Sequence, residues 1–555
     1  MNSPIKVRCL DCKTESPYLF NQNACPACGS QWREALYDYP TIALQALSEW
    51  TKRPFDLWRY HELLPIQSRD PDIGLGEGGT PLLKAINLGT MIGCKNIFIK
   101  DERQGPTASF KDRQAAVTIA ALKEAGVREM VVASTGNVAI AYSAYAARAG
   151  IKLWAFLTSL VPSEKMREVA IYGTQVIKVT GSYDQTKKVA SEFAAQRNLY
   201  YDLGARSIPC IEAMKTIAYE IAEQLASQLG PGEGYPLRAP DWYIQSVSGG
   251  MGPIGVIKGF AELKAMNLID RIPKIAVIQV DGCAPMVHAW QQGLDKALPV
   301  ASPKTLIETL ATGDPGRSYT VLRQMMLENN GGTFISSSDE DTFRAMHFLA
   351  KMEGLSVEPA AAVAFSGLIH LVRSGEIGRD EVVVVNNTGH TFPIESAILG
   401  EGWSHDINLS HPALQESQEE GLLAALSKVA SDRYPRVLIV DDQPEARQLL
   451  RRILQSQGNF TLFEASNGKE AIEVAQKERP NLILLDLMMP EMDGFAVMDA
   501  LQKDKSTAEI PVVVVTAKEL TPQEKQRLRG RIQNLLQKGD FISEDLQNEV
   551  KSLLS

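Results

Sequence analysis

The fold is predicted most directly by the stretch Thr107-Ala-Ser-Phe-Lys-Asp-Arg113, in which a lysine follows an aromatic residue at the start of a predicted helix, 112–125. A lysine with a lowered pKa in such a position can form a Schiff base with an aldehyde. Most lysines are instead solvated surface groups, so the stretch indicates little by itself. Its interpretation depends on the segments that follow it.

Three other segments place polar groups directly after predicted strands. Two of them, Ala133-Ser-Thr-Gly-Asn137 and Ser246-Val-Ser-Gly-Gly-Met-Gly252, also open predicted helices, where backbone N–H groups bind carboxylates or phosphates. The third, Val382-Val-Val-Val-Asn-Asn-Thr388, ends a strand with a hydroxyl group. A lone glycine turn is usually only a tight turn. Together, the lysine, the two turns and the hydroxyl indicate a ligand site.

Helix-like and strand-like stretches alternate from residue 34 to 405. The predicted helices are 112–125 and 138–149, and the predicted strands are 96–100, 129–133, 152–157, 175–179, 242–246, 274–280 and 381–386. This alternation predicts an α/β domain with a mainly parallel sheet. In such sheets ligands bind beyond the carboxyl ends of the strands. The polar segments described above are predicted to lie at those ends.

These motifs resemble those of the fold-type II pyridoxal-phosphate enzymes, the family of the tryptophan synthase β-chain. The stretch Leu75-Gly-Glu-Gly-Gly-Thr-Pro-Leu-Leu83, with Ser109–Arg113 and the N-terminal cysteines, is specifically similar to threonine synthase. The resemblance covers residues 5 to 400. It implies two α/β subdomains, pyridoxal 5′-phosphate as cofactor, and a carbon–oxygen lyase. The implied reaction converts O-phospho-L-homoserine and water to L-threonine and phosphate.

The resemblance also implies roles for individual residues. Lys111 would bind the cofactor as a Schiff base and later move the α-proton of the substrate. The other implied cofactor contacts are Phe110 at the ring, Asn137 at the 3′-oxygen, Gly249, Gly250, Met251 and Gly252 around the phosphate, and Thr388 at the pyridine nitrogen. The implied contacts of the substrate carboxylate are Ser134, Thr135 and Asn137. A neutral hydroxyl at Thr388 suits elimination or replacement better than transamination.

The substrate site departs from the resembled pattern. Threonine synthases hold the phosphate of their substrate with an Asn-Ser…Arg cluster before a Glu-Gly-Gln-Lys-Thr stretch. The matching stretch here, 211–216, follows Cys210 where an arginine is expected, and Val138 and Gly249 stand where polar side chains are usual. Each missing charge-assisted donor is worth about 1.5–3 kcal/mol. The cations that could substitute are Lys215, Arg206 and Arg317.

Four cysteines near the N-terminus predict a zinc ribbon over residues 1–33. Cys9-Leu-Asp-Cys12 and Cys25-Pro-Ala-Cys28 are separated by twelve residues, so that one tetrahedral Zn²⁺ can bind all four thiolates. Such a closed site is structural, because no coordination position is left for a substrate. The alternative is four unpaired or redox-active cysteines. Zinc is favoured because a small segment with little core of its own needs such a constraint.

A second α/β pattern begins at residue 435 and continues to 555. Carboxylates and a hydroxyl follow three apolar strands, in Val437-Leu-Ile-Val-Asp-Asp442, Leu482-Ile-Leu-Leu-Asp486 and Val512-Val-Val-Val-Thr516, and Lys538 follows a fourth predicted strand. Converging carboxylates repel one another and therefore call for a cation, for which Mg²⁺ is suited. Acidic residues that merely cap loops are the alternative. The pattern resembles a response-regulator receiver domain, which implies a flavodoxin-like (βα)5 fold.

This second resemblance implies a phosphorylation site. Asp486 would be the phosphoacceptor, and Thr516 and Lys538 would contact the phosphoryl group. The implied Mg²⁺ ligands are Asp441, Asp442, Asp486 and the carbonyl of Met488. The phosphodonor would be a histidine kinase or phosphotransfer protein acting in trans, as in two-component phosphorelays. Leu535 stands where receivers often have an aromatic switch residue, so the phosphorylated state would be communicated differently.

Composition restricts the remaining classes of function. An apolar fraction of 45% and a charged fraction of 22% are those of a globular protein. A net charge of −9 argues against a general nucleic-acid partner, and no apolar run is long enough for a membrane span. The N-terminus has no apolar signal core, which predicts a cytoplasmic protein. The predicted domains are the ribbon at 1–33, the enzyme at 34–405, a polar linker at 406–434 and the receiver at 435–555.

Two alternatives to the threonine synthase reaction follow from the altered substrate site. One is a pyridoxal-phosphate enzyme that eliminates or replaces a group on serine, threonine or phosphoserine. The other is a signalling scaffold that binds the cofactor or an amino acid with little turnover. In each case the receiver is expected to regulate or to report, and the fold-type II resemblance implies a homodimer.

Overall fold

The computed structural model describes residues 5–20, 22–67, 72–134, 136–158, 161, 163–180, 182–390, 435–457, 460–516, 520–528, 531–537 and 553. These described residues form two compact units. The first, called the enzyme unit, contains the described residues of 5–85, 95–346 and 356–390. The second, called the receiver unit, contains 86–94, 347–355 and the described residues from 435 onward. The predicted linker, 406–434, lies outside the described residues.

Strands and helices alternate through most of the chain. The strands are β1 (Lys6–Cys9), β2 (Glu15–Pro17), β3 (Arg33–Leu36), β4 (Leu82–Lys84), β5 (Asn96–Asp101), β6 (Glu129–Ser134), β7 (Lys152–Thr158), β8 (Gln175–Val179), β9 (Tyr200–Tyr201), β10 (Trp242–Ser246), β11 (Lys274–Val280), β12 (Gly332–Ser337), β13 (Val382–Asn387), β14 (Arg436–Val440), β15 (Thr461–Ala465), β16 (Leu482–Leu485), β17 (Val512–Thr516) and β18 (Asn534–Gln537).

The helices are α1 (Tyr39–Ala43), α2 (Ala46–Trp50), α3 (Ile86–Ile92), α4 (Lys111–Glu124), α5 (Asn137–Ala149), α6 (Ser163–Ile171), α7 (Tyr183–Arg197), α8 (Ile208–Met214), α9 (Thr216–Leu229), α10 (Met251–Ala265), α11 (Pro285–Gln291), α12 (Ser318–Glu328), α13 (Asp339–Phe348), α14 (Pro359–Arg373), α15 (Pro444–Gln457), α16 (Gly468–Glu478), α17 (Gly494–Lys503) and α18 (Pro522–Leu528). Short 3₁₀ segments include Glu102–Gln104 and Gly204–Arg206.

Two mainly parallel sheets organise the enzyme unit. The larger has six strands in the order β12-β11-β10-β13-β5-β4, of which only β4 is antiparallel to its neighbour. The smaller has four parallel strands in the order β8-β7-β6-β9. Strands β5, β6, β10, β11 and β13 are almost entirely buried, as parallel strands covered by helices on both faces must be. The prediction of an α/β fold with two subdomains is confirmed.

Buried charges fix the helix that begins at Lys111 against the core. The Arg113 guanidinium, on the first turn of α4, donates to both Glu102 and Glu220, and Lys100 also donates to Glu220. These two cations and two carboxylates are almost fully buried and balance one another. Although burial opposes ionisation, Arg113 and Lys100 lower the pKa of Glu220 to about 2. Removing one member would leave a buried unpaired charge, at a cost of about 3–5 kcal/mol.

The N-terminal segment is an antiparallel sheet in the order β2-β1-β3. Its small core consists of Val7 and Ala35, which pack against Ile208 of α8. Tyr37, directly after β3, donates a hydrogen bond to Glu212 of the same helix. Within the enzyme unit, this segment therefore packs against α8, the helix that follows the 3₁₀ segment Gly204–Arg206.

The receiver unit contains a five-stranded parallel sheet in the order β15-β14-β16-β17-β18. Three central strands, β14, β16 and β17, are almost entirely buried. The predicted flavodoxin-like arrangement is confirmed. Among the described residues, no helix is both long enough and apolar enough to cross a membrane.

Candidate functional site

A cavity of about 500 Å³ lies in the enzyme unit, where β5, β6, β10 and β13 end or are followed by loops. Its wall includes the predicted cofactor contacts Phe110, Lys111, Asn137, Gly249, Gly250, Met251, Gly252 and Thr388. Ser134 is not on this wall, and Thr135 lies outside the described residues. The structure therefore brings together the lysine, both helix-opening turns and the strand-end hydroxyl. Their individual roles remain predictions.

Lys111 is the first residue of α4 and lines the cavity next to the ring that precedes it. Its Nζ lies 4.0 Å from the centroid of the Phe110 ring. Among the described residues, none accepts a hydrogen bond from this Nζ or forms an ion pair with it. Burial lowers the pKa of Lys111 to about 8, although the charges of Asp202 and Glu358 act in the opposite direction. A lysine with this pKa is partly uncharged near neutral pH and is suited to nucleophilic attack or proton transfer.

The loop before Lys111 is held in a fixed conformation. Ala108 has a φ of 56°, an unfavourable value for an alanine, and the backbone N–H of Phe110 donates to the Thr388 carbonyl at 3.0 Å. Asp112 accepts hydrogen bonds from the backbone N–H and the hydroxyl of Thr107 at 3.0 and 2.6 Å. Burial raises the pKa of Asp112 to about 7. The bond from Phe110 places Thr388 next to the start of α4, and the two bonds to Asp112 fix the backbone on either side of Lys111.

The glycine loop between β10 and α10 is shaped to accept a phosphate. Gly250 has a φ of 81°, which favours glycine, and it precedes the fifteen-residue helix α10. A Cβ on Gly252 would lie 2.3 Å from the Gln245 Nε2. The hydroxyl oxygen of Ser246, at the end of β10, is buried and has no hydrogen-bond partner among the residues that the structure describes. The residues here therefore fit the phosphate of the implied cofactor, held by backbone N–H groups at a helix N-terminus.

Asn137 is held by a buried ion pair that sequence reasoning missed. Its Nδ2 donates to Glu358 at 2.8 and 3.1 Å, and Lys165 Nζ donates to its Oδ1 at 2.8 Å and to Glu358 at 3.3 Å. The side chains of Lys165 and Glu358 are only 5% and 6% exposed. The amide is thereby fixed in orientation, with both of its ends bonded. The only sequence signal for Glu358 was its position before Pro359 at the start of α14.

Ser134 has a structural part in this turn. Its hydroxyl oxygen accepts from the backbone N–H groups of Gly136 and Ala139, both at 3.0 Å. Gly136 has a φ of 139°, and a Cβ there would lie 3.0 Å from the Lys165 side chain. Ser134 thus caps α5 and shapes the turn, and contact with a substrate carboxylate remains a prediction.

The three cations proposed for the substrate phosphate lie in different environments. Lys215 is fully buried and paired with Glu212 at 2.5 Å, so it cannot face a ligand. Arg206 and Arg317 both line the cavity. Cys210, where an arginine was expected, is buried and contacts Thr118, Tyr142 and Asp202 through its sulfur.

The four N-terminal cysteines converge as predicted. Their sulfur atoms all lie within 4.8 Å of one another, and the Cys9–Cys28 and Cys12–Cys25 separations are both 3.6 Å. Each CxxC turn is followed by a residue with positive φ, Lys13 at 60° and Gly29 at 74°. Four thiols on two such turns fit a tetrahedral Zn²⁺. The residue after this cluster that sequence reasoning missed is Trp32, which lines the cavity.

In the receiver unit, three carboxylates meet at the ends of β14 and β16. Oxygen atoms of Asp441, Asp442 and Asp486 lie within 4.8 Å of one another. The Oδ1 atom of Asp442 is buried and finds no hydrogen-bond partner within the described part of the receiver unit. This donor set fits Mg²⁺. Thr516 is buried at the end of the neighbouring strand β17, Met488 follows β16, and Lys538 lies outside the described residues.

Comparison with known proteins identifies both units. Residues 73–389 match the family described as "Pyridoxal-phosphate dependent enzyme". This match spans more than half of the chain and contains the lysine, the glycine loop and Thr388. The chain belongs to the pyridoxal-phosphate dependent enzyme family. Residues 437–551 match the family described as "Response regulator receiver domain".

Similarity to threonine synthases supports a narrower class of reaction within this family. The chain is 33% identical over 394 residues to a threonine synthase of Methanosarcina acetivorans, covering 71% of this chain and 93% of that protein. It is 36% identical over 360 residues to a threonine synthase of Methanocaldococcus jannaschii, covering 64% and 85%. The fold matches threonine deaminase isoform 2 from Solanum lycopersicum with a TM-score of 0.50, at 18% identity and covering 66% and 94%. The protein is a pyridoxal-phosphate dependent lyase with a receiver domain.

Proposed function

We propose that this lyase catalyses the threonine synthase reaction, in which O-phospho-L-homoserine and water give L-threonine and phosphate. The observation that carries the proposal is the convergence of Lys111 and the loop Gly249–Gly252 on one cavity. Similarity to threonine synthases over 85–93% of their length supports this reaction over others of the family.

The chain supplies the cofactor site through backbone and side-chain groups. The N–H groups of Gly249–Gly252 would hold the phosphate, and Asn137, fixed by Glu358 and Lys165, would meet the 3′-oxygen. The Thr388 hydroxyl would face the pyridine nitrogen without forcing a proton onto it. Bound pyridoxal phosphate supplies an electron sink for reactions at the α-carbon of an amino acid.

Lys111 is the group that moves protons in this proposal. Its lowered pKa, about 8, leaves part of the population uncharged near neutral pH, so that the amine can accept a proton and return it. Phe110 covers one side of the ammonium at 4.0 Å and limits the access of water. The buried ion pairs of Arg113 with Glu102 and Glu220 hold the first turn of α4 in place, and Lys111 lies on that turn.

The test is phosphate release from O-phosphohomoserine by purified, cofactor-loaded protein. We expect phosphate and threonine to form in equal amounts, and both to be lost in Lys111→Ala. Cofactor binding and correct folding of the variant are checked by absorption and circular dichroism spectra. A wild-type protein that binds the cofactor but releases no phosphate contradicts the proposed reaction.

A second candidate is elimination from an unphosphorylated hydroxy amino acid such as serine or threonine. It is favoured by the apolar side chains of Val138, Leu203 and Ala205 on the cavity wall, which offer no donor to a phosphate, so that on this side Arg206 would have to supply it. Release of ammonia and a keto acid from serine or threonine, without activity on phosphohomoserine, would support it. Absence of turnover with every amino acid tested would favour a scaffold that binds ligands without catalysis.

The two metal sites have different proposed purposes. Zn²⁺ at Cys9, Cys12, Cys25 and Cys28 would be structural, because the four thiolates complete its coordination. Mg²⁺ in the receiver would neutralise three carboxylates and bind the incoming phosphoryl group. The carbonyl of Met488 and the side chain of Lys538 are proposed there by resemblance alone.

We also propose that phosphorylation of Asp486 by a histidine kinase or phosphotransfer protein regulates the enzyme. Regulation requires that phosphorylation favour one state of the enzyme over another. The test compares kcat, KM and oligomeric state with and without a small phosphodonor, with Asp486→Asn as the control. Unchanged kinetics and unchanged assembly would contradict regulation. The homodimer, the cytoplasmic location and the predicted domain boundaries remain predictions.

A further inference from the structure

The positively charged side chains on the cavity wall differ in their partners. Lys187 is paired with Asp184 at 2.6 Å, and Arg317 forms two hydrogen bonds to Asp11. Arg206 donates from Nη1 to the Oε1 of Gln31 at 2.6 Å. Within the described part of the chain, no carboxylate pairs with Arg206. Apart from Lys111, whose role is already described, Arg206 is the half-buried cation that lines the described part of this wall and has a neutral neighbouring group.

The position of Arg206 is fixed from two sides. Its 3₁₀ segment, Gly204–Arg206, is held by Asp202, whose Oδ1 accepts from the Gly204 N–H at 3.3 Å. From the other side, Gln31 of the N-terminal segment holds the guanidinium while leaving its charge uncompensated. Trp32, the next residue, forms part of the same wall. The segment that carries the four cysteines thus completes the cavity.

The surroundings of Arg206 define what it can bind. Leu203 and Ala205, next to Arg206 in sequence, line the cavity and carry no polar side chain, and Val138 adds another apolar side chain to the cavity wall. A half-buried guanidinium beside apolar groups is stabilised when an anion binds it, because its charge is then paired. Its planar fork matches two oxygens of a phosphate or a carboxylate.

We propose that Arg206, positioned by Gln31, binds an anionic group on the side chain of the amino-acid substrate. The proposal rests on the proposed function only in that the substrate is an amino acid. Arg206 takes the place of the phosphate donors that the sequence lacks, but it is provided by a different segment and supported by the N-terminal module. The anion is a phosphate or a carboxylate, which the experiment distinguishes.

The experiment measures binding to the full-length, cofactor-loaded protein through changes in the absorption spectrum of the cofactor. The probes are O-phosphohomoserine, 2-aminoadipate and homoserine, which carry a phosphate, a carboxylate and a neutral hydroxyl on similar chains. We expect wild-type protein to bind one of the anionic probes more tightly than homoserine. In Arg206→Gln the Kd for that probe should rise about tenfold or more, and the Kd for homoserine should change less than about twofold.

Three further variants separate recognition from structure. Arg206→Lys keeps the charge without the fork and should give an intermediate Kd for the anionic probe. Gln31→Glu places a carboxylate beside the guanidinium and should weaken anion binding in the same direction as Arg206→Gln. Arg128→Gln removes an exposed arginine that does not line the cavity, so that both Kd values should stay unchanged.

Two results would overturn the proposal. The first is a wild-type protein that binds neither anionic probe more tightly than homoserine. The second is an Arg206→Gln variant whose Kd values for anionic and neutral probes rise equally or not at all. Turnover is measured separately. If the protein binds the anionic probe selectively but releases no phosphate, the threonine synthase reaction is refuted and the role of Arg206 stands. If the protein releases phosphate and Arg206→Gln leaves that turnover unchanged, the role of Arg206 is refuted and the reaction stands.

Discussion

The buried pair Lys165–Glu358 offers a sharp test of how the cavity wall is held together. The two side chains are about 5% exposed, their charged atoms are 3.3 Å apart, and both bond to Asn137. We consider Lys165→Met, Glu358→Gln and the double variant. Glutamine keeps an oxygen that can accept from the Asn137 amide, so Glu358→Gln removes the charge with little change in shape.

The expected magnitude follows from the burial of the pair. At an effective dielectric constant of about 20, two unit charges at this distance attract by about 5 kcal/mol. Lys165→Met leaves the Glu358 carboxylate buried without its cationic partner, which costs about 3–5 kcal/mol in the free energy of unfolding. In the double variant no charge is left uncompensated, so we expect a loss of only about 1–2 kcal/mol from weakened hydrogen bonds. The coupling should therefore exceed about 2 kcal/mol.

The assay is urea unfolding followed by tryptophan fluorescence. It reports mainly on the enzyme unit, because that unit contains six of the seven tryptophans and residues 435–555 contain none. The matched control is the exposed pair Lys52–Glu49, with its charged atoms at 2.8 Å, whose equivalent variants should leave the unfolding transition unmoved. Additive losses in the Lys165–Glu358 cycle, or single losses below about 1 kcal/mol, would refute the view that this pair is a coupled support of Asn137.

Four other predictions can be checked independently. Because burial lowers the pKa of Lys111 to about 8, the rate at which cofactor-free protein binds pyridoxal phosphate should rise as pH increases through that value, and a rate independent of pH would contradict this assignment. Gly252→Ala should raise the Kd for the cofactor, measured by equilibrium dialysis, roughly tenfold or more, because the added Cβ would lie 2.3 Å from Gln245. Cys12→Ser should remove bound zinc, measured by metal analysis, and lower the Tm of the enzyme unit, whereas retained zinc would argue against a four-thiolate site. Asp486→Asn should abolish Mg²⁺-dependent incorporation of phosphate from acetyl phosphate, and labelling of the variant at the wild-type level would place the phosphoacceptor elsewhere.

The strands of both units could be predicted from the sequence because their signals are local. The observed bounds of Gln175–Val179, Trp242–Ser246 and Lys274–Val280 are the predicted ones, since runs of apolar and β-branched residues mark buried strands. Strand Gly332–Ser337 was missed because its polar sequence, Gly-Thr-Phe-Ile-Ser-Ser, lacks that signal. The convergence of strand ends on one cavity followed from the parallel topology.

The supports of the site could not be predicted in the same way. Lys165 and Glu358 are 193 residues apart, and Gln31 and Arg206 are 175 apart. Nothing in the local sequence of either partner indicates the other, because such pairs are set by how the whole chain folds. Lys215 illustrates the opposite error. It belongs to a stretch that resembles a substrate-binding motif, but in the structure its ammonium group forms a buried ion pair with Glu212.

The position of Trp32 on the cavity wall has a consequence for engineering. The recognisable family segment starts at residue 73, and a minimal catalytic fragment would naturally be cut there. Such a fragment would lose the indole and the amide that complete one side of the pocket. A fusion protein that uses this enzyme therefore needs to include the cysteine-bearing segment. The same holds for a variant in which the substrate preference is changed by exchanging segments of the cavity wall.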